Sequence, residues 1–260
     1  MNLGLTDRVA VITGASGGIG EELVRAFTAE GARVAALSRR PVPASAQVLP
    51  LLADVRSPEE LDRAMRAASA AFGRVDVCVV NAGIWPPESL PLDALPEARV
   101  REVLEVNLLG AMWTARAFVA ALRRSGPRTD GTGGTGDGAS VIFIGSTAGR
   151  FGEAGHAEYA ATKAALRGLV LTLKNEIVHV DPWARVNLVD PGWTVTPMAA
   201  QTLAGSGQLD AVTRTMPLRR VASPADVAAA VLFFASPVMS RHVSGEALTV
   251  AGGMEGRALW

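Results

Sequence analysis

Several things are scarce in this chain. Its 260 residues include one cysteine, one tyrosine and only two lysines, Lys163 and Lys174, and the formal net charge is zero. A lone thiol cannot close an internal disulfide, which fits a reducing compartment. Cys78 lies in the apolar run VDVCVVNAG and reads as a small buried hydrophobe. Zero net charge and a pI near 6.9 leave no basic field to gather nucleic acid or an anionic membrane surface. No uninterrupted apolar run approaches the roughly 20 residues of a membrane span, and Asp7 and Arg8 precede the first apolar stretch. The expectation is a soluble cytoplasmic protein with no nucleic acid, membrane or metal among its partners.

What is present is core-forming material, 49% of the residues being hydrophobic. Short β-branched runs alternate with longer Ala-rich amphipathic stretches, the pattern of βαβ units around a parallel sheet. RVAVITG reads as the first strand and is followed by a helix from about Gly18 to Glu30. RVAALSR, VLPLLADV, VDVCVVNAG, ASVIFIGS, RVNLVDPG and EALTVAGG supply further strands, about seven in all. Ser57, Pro58 and Glu60 have the spacing of an N-cap, a first helical position and a capping partner. A long helix is expected over about Pro96 to Arg124. The stretch from about Gly126 to Gly138 is too polar and glycine-rich to pack, so it reads as a flexible loop inside one domain spanning 1–260.

Two motifs carry chemistry. In VAVITGASGGIGEELV, Gly14, Gly18 and Gly20 fall between the first strand and the first helix. Glycines there let the chain turn tightly and let backbone N–H groups approach a pyrophosphate at the positive end of a helix. In AEYAATKAALRG, the only tyrosine, Tyr159, stands four residues before Lys163, which on a helix puts both on one face.

With these motifs in order, the chain resembles the short-chain dehydrogenase/reductase family in its compact single-domain branch, nearly end to end. TGASGGIG at Thr13 to Gly20 resembles the cofactor loop, with Ser16 and Ile19 inside it. Asp54, followed by Val55, resembles the acidic residue that contacts the adenine ring, and Asn81, Ala82 and Gly83 the turn after strand four. Asn107, Ser146, Tyr159 and Lys163 match the family's catalytic four. DPGWTVTP, with Pro191, Gly192, Thr194 and Thr196, resembles the segment that holds the nicotinamide carboxamide. The chain departs from the family pattern in three places: the charge of Asp190 before Pro-Gly, VAGG at Val250 to Gly253 and the length of the Gly-rich loop.

The resemblance implies a Rossmann-type, doubly wound, three-layer αβα fold. It also implies an oxidoreductase that moves hydride between a nicotinamide cofactor and a small carbonyl or secondary alcohol. The alternative is a cofactor-sensing regulator without catalysis on the same fold; such a protein is expected to lose the tyrosine or lysine, and both are here. A phenol with a reference pKa near 10 needs roughly 4 kcal/mol of phenolate stabilisation to work near neutrality, about what one cation ~4 Å away supplies at an effective dielectric near 20. Lys163 is therefore expected to lower Tyr159, and by resemblance to hold the cofactor ribose. Ser146 is expected to hydrogen-bond the substrate oxygen, and Asn107, by resemblance, to hold a water in a proton relay. His156 reads as an incidental loop histidine. Residues about 197–220 read as a substrate lid, with Trp193, Met198, Leu203, Trp85 and Pro86 as candidates for the pocket and its rim.

Cofactor preference is legible at the end of strand two. The position about 20 residues past the glycines, where an acidic residue marks NADH binding, is Ser38, and Arg39 and Arg40 follow it. NADP(H) is expected over NAD(H). A homotetramer is expected from the family's pairing of its two long central helices.

Overall fold

The computed structural model describes residues 2–127, 137–205 and 207–254. Strands β1 (Val9–Thr13), β2 (Arg33–Ser38), β3 (Val48–Leu52), β4 (Val77–Val80), β5 (Ser140–Ile144), β6 (Arg185–Pro191) and β7 (Ala247–Val250) form one sheet in the order β3-β2-β1-β4-β5-β6-β7. Every neighbouring pair is parallel. A parallel sheet is covered on both faces, which is why β1, β4 and β5 are buried at every residue. Alternate residues divide between two cores. Ala10, Ile12, Val77 and Val79 pack with α1 (Gly18–Ala29) and a C-terminal helix, Pro224–Ala235. Val9, Val11, Cys78 and Val80 pack under α2 (Pro58–Phe72) and two longer helices described next. The layers are helix, sheet and helix, as expected for a doubly wound fold.

Local chemistry sets the helix ends. The Ser57 hydroxyl accepts from the Glu60 N–H at 3.2 Å, Pro58 opens α2, and Gly73 closes it in the left-handed region at φ 84°. The long helix expected over about Pro96 to Arg124 is broken differently from that expectation. It consists of α3 (Glu97–Leu104), a π-helical turn over Glu105–Leu109, and α4 (Gly110–Ser125). The bulge sits on Asn107, whose side chain leaves the helix to bond the backbone of Ile84. Gly110 then passes where a Cβ would stand 2.7 Å from Val55 Cγ2. By length and composition Glu97–Ser125 is apolar enough to cross a membrane, which departs from the expectation that no segment qualifies. Half of that window is buried inside the fold, against β4 and α2.

The remaining elements are α5 (Thr147–Phe151), α6 (Ala157–Glu176), α7 (Pro197–Leu203), α8 (Gln208–Thr213) and α9 (Pro224–Ala235), the last opened by a Ser223/Asp226 capping box. Two short helices therefore occupy the segment read as a lid. Most of the Gly-rich loop, residues 128–136, lies outside the described residues. The strand order reverses between β1 and β4, and in open α/β sheets a ligand crevice lies outside the strand carboxyl ends at such a point.

Candidate active site

A cleft of about 700 Å³ opens there, and the glycine loop forms one of its walls. Gly14 leaves β1 with φ +67°, a region that disfavours other residues. A Cβ on Gly20 would stand 2.1 Å from the Gly14 carbonyl oxygen, so the loop lies directly on α1. No side chain caps α1 at Gly17, which leaves first-turn N–H groups facing the cleft for an anion. The loop is tied to the next strand: Asn81 Nδ2 donates to Thr13 O at 2.9 Å, and Thr13 Oγ1 accepts from the N–H groups of Asn81 and Ala82 at 3.1 and 3.2 Å. Thr13 holds both sides of the crevice together; the motif contains it, but its role as the tie was not foreseen.

At the far end of β2, Ser38 is buried and its hydroxyl donates to the Arg40 carbonyl oxygen. Both arginines are exposed and line the cleft; Arg40 reaches back to Ser16 O at 2.8 Å. Asp54 is held by Arg56 through Nε and Nη2 at 3.1 and 2.6 Å, and that guanidinium is the main reason its carboxyl titrates lower than usual. Val55, Ile19 and Gly18 complete this end.

The other end is built from β5 and β6. Ser146 follows β5 and opens α5, its Oγ accepting from the Ala148 N–H at 3.1 Å. Behind it lies Asp190, 3% exposed, whose Oδ1 accepts the Ser146 N–H at 3.1 Å. A Cβ on Gly145 would stand 2.0 Å from that oxygen, so glycine there makes room for the unusual carboxylate. Burial raises the Asp190 pKa; the Ser146 N–H, Arg167, Lys163 and Arg150 counter it. Past β6, Pro191, Gly192, Thr194 and Thr196 line the cleft, and Thr196 caps α7 by accepting from the Ala199 N–H. Gly192 lies close against Ala251, where a Cβ on the glycine would approach to 2.8 Å, so the alanine of VAGG is a packing residue of this wall.

Helix α6 carries Tyr159 and Lys163 into the same space. Tyr159 and Ser146 line the same end of the cleft, and Lys163 Nζ stands 5.8 Å from the centre of the tyrosine ring. The expectation that Lys163 lowers the phenol does not hold in this arrangement. Tyr159 is pushed up to about 12, first by burial and then by the Glu153 and Asp190 carboxylates, with Ser146 opposing. The lysine's ammonium is instead directed at the Ile144 carbonyl oxygen, 2.8 Å away. Lys163 is itself pulled down to about 8 by burial, against the pull of Asp190.

That depression has a stability consequence. Below about pH 8 the folded protein holds a buried cation; between there and the ordinary 10.5 the unfolded chain binds the proton more tightly, so stability rises with pH. The rise is about 3 kcal/mol, at roughly 1.4 kcal/mol per decade. Urea unfolding of the protein and of Lys163→Met should show the gap between them shift by that order from about pH 7.5 to 10. A pH-independent gap would mean that the ammonium is not desolvated.

Asn107 does not line the cleft. It is buried behind it, with Oδ1 accepting from the Ile84 N–H at 2.8 Å and Nδ2 donating to Ile84 O at 2.9 Å. Its Oδ1 and Lys163 Nζ nevertheless converge on Gly83, where a Cβ would meet them at 3.3 and 3.4 Å. Trp85, Trp193 and Met198 line the cleft as expected, while Leu203 and Pro86 do not. His156 is no incidental loop residue: it is 4% exposed, stacks on Trp85 with centroids 4.8 Å apart, and its Nε2 lies 3.0 Å from Pro86 O. Glu153 and Met254, which no motif marks, also line the cleft.

The residues fit an extended dinucleotide. There is an N–H cradle for a pyrophosphate, a polar strand end for a ribose, and a hydroxyl, phenol and ammonium grouped at the opposite end. The family model described as enoyl-(acyl carrier protein) reductase matches residues 14–255, and the chain belongs to the short-chain dehydrogenase/reductase family. Acetoacetyl-CoA reductase of Synechocystis sp. is 32% identical over 97% of this chain and 98% of its own. Cis-2,3-dihydrobiphenyl-2,3-diol dehydrogenase of a Pseudomonas sp. is also 32% identical, over 96% of this chain and 92% of its own. The ligand-free aldohexose dehydrogenase of Thermoplasma acidophilum superposes with TM-score 0.84 at 25% identity, covering 98% of this chain and 96% of the other. The protein is a nicotinamide-dependent oxidoreductase acting on CH–OH or C=O groups.

Proposed function

We propose that the protein transfers hydride between NADP(H) and a small carbonyl or secondary alcohol, with Ser146, Tyr159, Lys163 and Asn107 as the working set. One observation carries this reading: Ser146, Tyr159 and Lys163 stand together on the cleft that the glycine loop also lines. The cofactor, when bound, supplies or accepts the hydride. In reduction, the substrate oxygen accepts hydrogen bonds from Ser146 and Tyr159; the carbonyl carbon gains the hydride, and the phenol's proton passes to the oxygen. A phenol pushed up to about 12 keeps its proton at neutral pH and is a weaker acid than a free one, so it gives that proton only as hydride arrival makes the substrate oxygen strongly basic. Lys163 would hold the ribose of a bound cofactor and, with Asn107 near Gly83, would return a proton to Tyr159 by way of solvent. The experiment is incubation with NADPH or NADH and a panel of ketones and aldehydes, following reduced-cofactor absorbance. Steady oxidation is expected with at least one carbonyl; tight cofactor binding with no turnover across the panel would favour the cofactor-sensing alternative.

NADP(H) is preferred in this reading because no carboxylate stands at Ser38 and Arg39 is free to meet a 2′-phosphate. The whole chain acts as one catalytic unit, with residues 197–220 as the lid over the substrate, and it works in the cytoplasm. It assembles as a homotetramer through α4 and α6, where Leu109, Met112 and Leu171 on or beside these helices leave large apolar side chains exposed. Light scattering at micromolar concentration should give four times the chain mass, and a monomer would refute the assembly.

A further inference from the structure

Three side chains at the substrate end of the cleft have no part in holding a dinucleotide or moving a proton: Glu153, Trp85 and Trp193. The two indoles meet at 80° with centroids 5.8 Å apart, which makes a corner of two flat apolar faces. The corner is buttressed. His156 stacks on Trp85 at 17° from parallel, and its Nδ1 lies 3.7 Å from Glu153 Oε1, beyond hydrogen-bond reach. Glu153 lines the same cleft; burial raises its carboxyl, and His156 and the Trp85 side chain oppose that. Glu153 stays about a quarter exposed to the cleft, and its charge acts directly on the Tyr159 phenol.

A carboxylate accepts at about four lone-pair sites, and those open to the cleft ask for a donor beside the reacting carbon. The geometry points to a substrate that carries a second hydroxyl on the carbon next to the one oxidised or reduced: a neutral vicinal diol, or the hydroxyketone formed from it, with its C–H face on the indoles. This rests on the hydride-transfer reading of the same cleft. The neighbouring O–H donates to Glu153 while Ser146 and Tyr159 hold the reacting oxygen. An anionic group there meets like charge in a partly desolvated site and is disfavoured. The flat indole faces suit a ring better than a linear chain.

The test compares kcat/KM for cis-cyclohexane-1,2-diol, cyclohexanol and 2-aminocyclohexanol with the oxidised cofactor. One charge-assisted hydrogen bond predicts that the diol leads cyclohexanol by about tenfold. Glu153→Gln should shrink that lead and Glu153→Ala should erase it, with thermal melting to confirm that both variants fold. A lead for the amino alcohol would mark a cation site, and parity between diol and cyclohexanol would leave Glu153 without a substrate role; either overturns the inference. Quenching of tryptophan emission by the same compounds, with cofactor present, reads binding without turnover. Tighter diol binding with no hydride transfer would uphold the corner and sink the oxidoreductase mechanism. Equal binding of diol and cyclohexanol, with turnover of both, would do the reverse.

Discussion

Replacing Tyr159 with phenylalanine lowers kcat by at least about a hundredfold, the lower range for loss of a general acid, while cofactor affinity stays within roughly threefold. The ring should keep its place, because α6 carries it and phenylalanine lacks only the hydroxyl. What disappears is the only phenol in the chain. No neighbour can substitute. Lys163 is directed at the Ile144 carbonyl oxygen, and the Glu153 and Asp190 carboxylates raise the phenol where a cation would lower it. The loss should therefore fall on kcat, with little change in the KM for cofactor. A phenylalanine variant with full turnover would remove Tyr159 from the chemistry.

NADPH should be preferred over NADH by about a hundredfold in kcat/KM, the value of two charge-assisted contacts at roughly 1.5 kcal/mol each. Ser38 offers no carboxylate to repel a 2′-phosphate, and its hydroxyl is already spent on the Arg40 carbonyl oxygen. Of the two arginines, Arg40 is committed to Ser16 at 2.8 Å. Arg39 is exposed on the cleft and near enough to Asp54 to help hold that carboxyl ionised, so it has the freedom to meet the phosphate. Arg39→Ala should lower the NADPH/NADH ratio by about tenfold, one contact's worth. An unmodified protein that prefers NADH, or an Arg39→Ala variant with an unchanged ratio, would contradict this assignment.

The strands and layers were readable because a parallel sheet covered on both faces needs continuous apolar runs, and the seven runs read as strands became strands. The glycine loop was readable because its backbone conformation admits little else: Gly14 has positive φ and Gly20 has no room for a Cβ. The environment of the site was less legible. The four-residue spacing put Tyr159 and Lys163 on one face, yet spacing carries no information on desolvation, so the sign of the Tyr159 shift was missed. The bulge at Asn107 depends on a contact with Ile84, distant in sequence. His156 stood out as a histidine, but only the fold shows it beneath Trp85. Glu153 was missed altogether, since one carboxylate in a loop has no pattern until three elements converge around it.

The central claim is direct hydride transfer between cofactor and substrate carbon in this cleft. It is tested by turning over a carbonyl substrate with NADPH deuterated at the transferring nicotinamide position and examining the alcohol by mass spectrometry. The account predicts one deuterium on the carbinol carbon and a rate slower than with ordinary NADPH. An alcohol that forms without deuterium at that carbon, or no alcohol from any carbonyl while cofactor binds, would contradict it.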